Sequence, residues 1–118
     1  MQRPDLGLSL PCKFHRCIDG DTIEIQFPGS ERVWKIRLID CWCPELDTPK
    51  GKEAKQYAEK IMKGCMNPVV YIPIPRDIYN LLGNLTFDRI LGYIFVGEAM
   101  TLNEIIVLAG HGTKTKKG

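Results

Sequence analysis

The sequence contains no long apolar run and no strong excess of charge of one sign. No stretch approaches the roughly 18 apolar residues that a membrane-spanning helix needs, so we expect no membrane association. The 118 residues include 16 lysines and arginines against 14 aspartates and glutamates, for a net charge of +2. Attraction of a polyanion through bulk charge alone is therefore excluded, and such a partner would need a local basic cluster. Histidine is also scarce: His15 and His111 have no partner pattern, and we interpret both as incidental.

The N-terminus lacks the continuous apolar core of a secretory signal peptide, since Leu6, Leu8 and Leu10 are separated by glycine and serine. We therefore expect a cytoplasmic protein, or a secreted one if a leader has been removed. Repeats and low-complexity segments are also missing, and the length suits one domain with its own core. We predict an N-terminal extension at 1–12, one folded domain at 13–112 and a basic flexible tail at 113–118.

The five cysteines form no paired framework and no Cys-x-x-Cys spacing. In a chain that can build its own core, we interpret them as small buried apolar residues. Two alternatives stay open. One is a zinc site at Cys41 and Cys43, although their Cα atoms would lie roughly 6.6 Å apart in a regular strand. The other is a disulfide between Cys12 and Cys17.

Turn signals divide the chain into short strands. Asp19-Gly20 is a strong hairpin signal, and Pro28-Gly29-Ser30 marks a second turn. Between them, apolar and polar residues alternate from Asp21 onward, which is typical of a half-buried strand. The predicted strands are 10–18, 21–27, 33–41, 69–74 and 89–96, with a loop over 76–86.

Capping signals predict two helices. Thr48 is a suitable N-cap for a helix that starts at Pro49, and Gly64 is expected to end it in the left-handed region. The second helix follows Thr101, which has capping-box spacing to a glutamate, and stops at Gly110. The predicted order along the chain is three strands, a helix, two strands and a second helix. This order favours an α+β, mainly β, fold with a five-stranded OB-type Greek-key barrel. The fold alone does not decide the function.

Five short motifs occur in a fixed order along this pattern. They are Asp19-Gly20-Asp21-Thr22, Arg37-Leu38 leading to Pro44-Glu45, Gly51-Lys52-Glu53-Ala54, Phe87-Asp88-Arg89 and Leu102-Asn103-Glu104. Each motif alone is weak. In this order, with these elements between them, the sequence resembles the staphylococcal-nuclease-like (thermonuclease) family over residues 14–112.

The resemblance implies calcium-dependent hydrolysis of phosphodiester bonds in DNA or RNA that leaves 3′-phosphate ends. It implies that Arg37 and Arg89 are the catalytic arginines and that Glu45 activates water. These residue types suit the chemistry, because arginine offers planar donors for phosphate oxygens and a carboxylate can act as general base. Judged alone, an arginine in a strand such as Arg37 is more often a solvated surface charge.

The resemblance also implies a site for a calcium ion (Ca²⁺). Asp21 and the backbone carbonyl of Cys43 match calcium ligands, and Asp19 lies beside Asp21. The sequence departs from the family at Trp42, where a second calcium aspartate is expected, and an indole cannot replace it. Asp40 shares a strand face with Trp42 at roughly 6.6 Å, so it substitutes only if the strand bulges or the metal shifts toward it.

Phe87 stands where the family has a nucleotide-contacting tyrosine, and Trp42 is interpreted as a packing residue or as a platform for a base. After Gly112 this sequence has only Thr-Lys-Thr-Lys-Lys-Gly, so we expect the final helix of the family to be absent. We therefore expect a monomeric nuclease that prefers single-stranded nucleic acid. The alternative is a catalytically impaired OB-fold module that binds single-stranded nucleic acid or a protein partner.

Overall fold

A computed structural model describes residues 7–73 and 90–115. These residues form six strands and two helices. The strands are β1 (Gly7–Pro11), β2 (Lys13–Asp19), β3 (Thr22–Gln26), β4 (Val33–Leu38), β5 (Val69–Pro73) and β6 (Ile90–Phe95). The helices are α1 (Pro49–Gly64) and α2 (Leu102–Leu108). No helix in these ranges is long and apolar enough to cross a membrane. The predicted loop at 76–86 lies outside the described residues.

The strands form one mixed sheet in the order β1-β5-β6-β4-β3-β2. Strands β4 and β6 are parallel, and the other neighbours are antiparallel. The α+β class is thus confirmed, but the sheet has six strands, and within the described ranges no ladder joins its edges β1 and β2. Cys12 lies between these strands, and its N–H donates to the carbonyl of Pro68, next to the pairing of β1 with β5. The predicted first strand is therefore divided, and β1 lies within the predicted extension.

The predicted turns are present, but the strand after the second turn is shorter than expected. Asp19 pairs with Thr22 across the first turn, and Gly29 has a φ of +80° in the second turn. Strand β4 ends at Leu38 instead of residue 41. The backbone leaves the extended conformation at Asp40, which has a φ of 54°. Aspartate tolerates this left-handed region better than most residues do.

Both predicted N-caps are confirmed. The hydroxyl oxygen of Thr48 accepts a hydrogen bond from the N–H of Gly51, and that of Thr101 accepts one from the N–H of Glu104. Gly110 ends α2 with a φ of +83°, as expected. The prediction of a left-handed Gly64 is wrong, because Gly64 belongs to α1.

The core lies between the sheet and the helices. Its fully buried side chains include Ile23, Ile25, Ile36, Leu38, Met62, Ile94, Leu102 and Ile106. Asn103 is also buried: its Oδ1 accepts from the N–H of Ile94, and its Nδ2 donates to the carbonyls of Ile39 and Gly92. This side chain links α2 to β6 and to the turn after β4. All five cysteines are free thiols, so the Cys12–Cys17 disulfide is not formed.

Candidate active site

One cavity of about 570 Å³ brings together most of the residues selected from the sequence. It is lined by Asp19, Asp21, Arg37, Trp42, Cys43, Pro44, Glu45, Lys50, Gly110, His111, Gly112 and Thr113. The predicted catalytic pair, Arg37 and Glu45, thus shares one site. Arg89 and Phe87 lie outside the described residues.

Arg37 is buried beside the cavity, with 7% of its surface exposed. Its Nη1 donates hydrogen bonds to the carbonyl oxygens of Leu38 and Cys41, the second at 2.8 Å. Its Nη2 lies 3.5 Å from Oδ2 of Asp21. A buried charge needs such partners, and together they hold the plane of the guanidinium. Arg37 is therefore not a solvated surface charge.

Trp42 stacks on the face of this guanidinium. The Cζ atom of Arg37 lies 4.3 Å from the centre of the indole ring, and 39% of Trp42 is exposed. The backbone of Trp42 is held by a pair of hydrogen bonds with Thr113, of 2.8 and 3.0 Å. The N–H donors of arginine lie in its plane, so stacking on the face does not occupy them, and Nε and one N–H of Nη2 are the donors that the two carbonyls and Asp21 do not use.

Asp21 is surrounded by hydrogen-bond donors. Its Oδ2 accepts from the N–H of Cys43 at 3.0 Å, and its Oδ1 lies 3.4 Å from the hydroxyl of Thr22. Burial raises the pKa of Asp21 to about 6, with help from a side-chain hydrogen bond to Asp19, and the Cys43 N–H and the charge of Arg37 oppose the rise. The carboxylate is thus more basic than an ordinary aspartate even beside a guanidinium.

Glu45 is exposed at the cavity and is positioned through its backbone. Its carbonyl oxygen accepts hydrogen bonds from the N–H and the hydroxyl of Thr48, at 3.0 and 2.6 Å. Gly51, in the first turn of α1, packs directly against this carbonyl. A Cβ atom on Gly51 would lie only 1.8 Å from the Glu45 oxygen. The start of α1 therefore holds the Pro44-Glu45 corner in place.

Asp40 is not brought together with Asp21. It lines a second cavity of about 380 Å³, together with Tyr93, Glu104 and Lys114. Burial, assisted by the charge of Asp40, raises the pKa of Tyr93. The expectation that Asp40 shares a strand face with Trp42 required an extended backbone, and the early end of β4 removes that condition.

The calcium site that the resemblance implied stays a prediction, and the described residues supply few of the ligands that it needs. Calcium takes about six to eight oxygen ligands, several of them anionic. Within residues 7–73 and 90–115, no group of three or more histidine, cysteine, aspartate or glutamate side chains is placed to hold a metal ion. Trp42 presents an indole, and Asp21 already has Arg37 as its partner. We therefore assign no chemical step to a cation.

Cys41 and Cys43 form a packing pair. A hydrogen bond between their side chains, together with burial, raises the pKa of Cys43. Zinc binds the thiolate form of cysteine, which this environment disfavours. Gly20 makes room for the pair, because a Cβ atom there would lie 2.7 Å from the sulfur of Cys43. The contact supports packing rather than a zinc site.

The cavity contains two basic side chains that were not selected from the sequence. Lys50 lies in the first turn of α1, and His111 stacks on Tyr57 with ring centres 4.6 Å apart. A signal for His111 was present: it stands between Gly110 and Gly112, directly after a predicted helix stop. Glycines on both sides of a polar residue mark a loop, and functional residues often lie on loops.

Comparison with known proteins found distant relatives. No protein-family model matches the sequence. The chain is 30% identical over 95 residues to an uncharacterized endonuclease of Escherichia coli. The aligned region covers 80% of this chain and 54% of that protein. It is 28% identical over 100 residues to an uncharacterized protein of Bacillus anthracis, with coverages of 80% and 42%. The chain thus spans about half the length of these curated relatives, and it is a distant homologue of a protein named as an endonuclease.

Proposed function

We propose that this domain hydrolyses phosphodiester bonds in single-stranded DNA or RNA and leaves 3′-phosphate ends. The observation that carries the proposal is that Arg37 and Glu45 line the same cavity. Hydrolysis needs a donor for the phosphate oxygens and a base for the attacking water, and these residues supply both. The similarity to a protein named as an endonuclease supports the same chemistry.

Arg37 binds the phosphate through the edge of its guanidinium. Its contacts with Asp21 and two carbonyls hold the group before substrate arrives, so little reorganisation is needed during the reaction. Negative charge builds up on the phosphate oxygens as water attacks. The loss of one such pre-positioned donor typically costs roughly 2.7 to 4 kcal/mol of barrier.

Glu45 takes a proton from the attacking water. It is exposed, so it can reach a bound strand, while its backbone is held by Thr48 and Gly51. An anionic substrate is repelled by carboxylates, and the cavity has three of them at Asp19, Asp21 and Glu45. The positive charges of Arg37 and Lys50 offset this repulsion.

Arg89 is assigned a second phosphate contact on sequence grounds, and Phe87 a contact with a base. Both lie outside the described residues. In the sequence, Arg89 directly precedes Ile90, which pairs with Ile36 in the parallel strands β6 and β4. Ile36 is in turn the residue before Arg37, which is consistent with a shared role for the two arginines.

The proposal is tested by incubating labelled single-stranded DNA and RNA with the protein, in calcium and in chelator. Cleavage products should carry 3′-phosphate ends. Replacing the general base by Glu45→Gln should reduce the cleavage rate by about 10²- to 10⁴-fold. Glu53→Gln is the matched control, because Glu53 is an exposed glutamate of α1 that does not line the cavity. Equal rates for wild type and Glu45→Gln would remove Glu45 from the mechanism.

A second candidate is a module that binds single-stranded nucleic acid without cleaving it. The exposed indole of Trp42 at the cavity favours it, because aromatic faces stack on bases of any sequence. Retained binding in a filter or anisotropy assay, with no cleavage in calcium, magnesium, manganese or chelator, would support this candidate over the nuclease.

A further inference from the structure

The proposed hydrolysis needs an acid as well as a base. Glu45 receives a proton from water, and the sugar oxygen that leaves must gain one, because an alkoxide is a poor leaving group. Arginine stays protonated in proteins, so Arg37 can stabilise charge but cannot supply that proton. A second titratable side chain of the same cavity is suited to supply that proton.

The described lining of the cavity contains four side chains with a transferable proton besides Glu45 and Asp19. They are Asp21, Cys43, Lys50 and His111. The carboxyl of Asp21 is hydrogen-bonded to the side chain of Asp19 and to the N–H of Cys43, and it lies beside Arg37, so the proton of this acid pair is held between the two aspartates. The thiol of Cys43 forms a hydrogen bond with the side chain of Cys41 and packs against Gly20. Lys50 is exposed on a long, flexible stem.

His111 differs from these groups because its position is held at several points. Its backbone N–H donates to the carbonyl of Ile106 at 3.0 Å, and this bond completes the C-terminal cap of α2 around Gly110. Two residues later, Thr113 forms its pair of hydrogen bonds with Trp42. The imidazole stacks on Tyr57 at 4.6 Å, with an angle of 34° between the rings. A half-buried ring is thus held against the cavity.

From this arrangement we infer that His111 is the general acid of the proposed reaction, so the inference rests on the proposed function. Water attacks phosphorus and loses a proton to Glu45. The bond from phosphorus to the 5′-oxygen breaks, and its electron pair stays on that oxygen. The imidazolium of His111 gives the oxygen a proton, which leaves a 5′-hydroxyl and a 3′-phosphate. The neutral imidazole and the protonated Glu45 return to their starting states by exchange with water.

The test compares two oligonucleotides that differ at a single linkage. One has the natural 5′-oxygen, and the other has sulfur in its place, which leaves as a thiolate and needs no proton. The variant His111→Phe keeps a ring to stack on Tyr57, and His111→Gln is a second variant in case the first folds poorly. His15→Gln is the matched control, because His15 is an exposed histidine of β2 outside the cavity.

We expect both His111 variants to cleave the oxygen-linked strand about 10²- to 10⁴-fold more slowly, as for loss of a general acid. They should cleave the sulfur-linked strand at nearly the wild-type rate, while Glu45→Gln stays slow on both strands. Equal losses on the two strands would show a structural role and overturn the inference, as would no loss on the oxygen-linked strand. If the wild-type protein cleaves neither strand, the proposed function itself fails and the inference fails with it.

Discussion

Two arginines of the described residues stack on tryptophans, and they lie in very different surroundings. The Cζ atom of Arg32 lies 3.8 Å from the ring centre of Trp34, and that of Arg37 lies 4.3 Å from the ring centre of Trp42. Arg32 is exposed at the end of the β3–β4 hairpin, whereas Arg37 is buried and also contacts Asp21. The same pair of residue types thus occurs once at the surface and once in the candidate site.

The contrast shows that stacking by itself does not make a functional site. An exposed cation–π pair contributes only about 0.5–1 kcal/mol, and its arginine can change rotamer at little cost. Arg37 has lost its water and has gained two carbonyl acceptors and a carboxylate instead. Its position is determined before any ligand binds, and this is the property that a phosphate site requires.

The largest expected effect comes from removing the guanidinium of Arg37 and comparing the result with removal of that of Arg32. Arg37→Met leaves the carboxylate of Asp21 buried without its partner, and we expect a loss of about 3–5 kcal/mol in the free energy of unfolding. Cleavage should fall by about 10²-fold or more, because a phosphate donor is lost. Arg32→Met should change stability by about 0.5 kcal/mol or less. Urea denaturation and the oligonucleotide assay measure both quantities.

Arg37→Lys refines this test, since it keeps the charge and loses the planar fork. We expect its stability to lie between that of wild type and Arg37→Met, with cleavage still strongly reduced. If Arg37→Met and Arg32→Met behaved alike in both assays, the distinction between the site and the surface pair would be wrong.

The same contrast between site and surface can be made with two glycines of α1. Gly51→Ala introduces a Cβ atom 1.8 Å from the carbonyl oxygen of Glu45, whereas Gly64 has no atom within 4 Å of an added Cβ. A displacement of Glu45 by about 1 Å should reduce cleavage about 10²-fold. Gly64→Ala should leave cleavage unchanged and should not destabilise the helix. Wild-type cleavage by Gly51→Ala would show that the corner does not position Glu45.

Asp21 is the carboxylate that lies beside Arg37, and its pKa makes the stability of the domain depend on pH. That pKa is raised from 3.8 to about 6, so between these values the folded state binds more protons than the unfolded state. The free energy of unfolding should therefore decrease as pH rises from about 4 to about 6, by about 3 kcal/mol in total. Asp21→Asn lacks this titration and should lose the slope.

Urea denaturation at several pH values, with wild type and Asp21→Asn measured in parallel, isolates this effect because the other groups titrate in both proteins. If the free energy of unfolding of wild type instead rose with pH relative to that of Asp21→Asn, the charge of Arg37, rather than burial, would dominate the environment of Asp21.

The smallest effect concerns calcium and the stacked indole. Trp42→Asp supplies a carboxylate next to the carbonyl of Cys43, and we expect calcium to stabilise this variant and not the wild type. At a free calcium concentration about tenfold above Kd, the gain is about 1.4 kcal/mol. Trp34→Asp, which replaces the half-buried partner of exposed Arg32, is the control whose stability calcium should not change. If titration calorimetry detects no calcium binding by Trp42→Asp, any cation binds elsewhere.

Local chemistry in this protein was predictable from the sequence. The hairpin at Asp19-Gly20 and the caps at Thr48 and Thr101 depend on φ preferences and hydrogen bonds between residues close in the chain. Arg37 and Glu45 were selected through the resemblance to a known family, and their residue types suit phosphate chemistry. Their presence in one cavity is what the structure adds.

The sequence did not predict which distant residues meet. Asp40 was grouped with Asp21 by the period of a strand, but β4 ends at Leu38 and Asp40 faces a second cavity. His111 was set aside for lack of a partner, although the segment after α2 pairs with Trp42 and places the imidazole beside Tyr57. A strand end and a contact between remote segments depend on packing across the whole domain.

The sequence by itself determined the turns and the helix caps, because each depends on short stretches of backbone, and its resemblance to a known family selected the groups that we propose to handle phosphate. Only the tertiary structure decided that Arg37 is buried against Asp21 and under Trp42, and that His111 shares a cavity with Glu45. Those contacts join residues far apart in the chain, and the free energy that holds them comes from the common core.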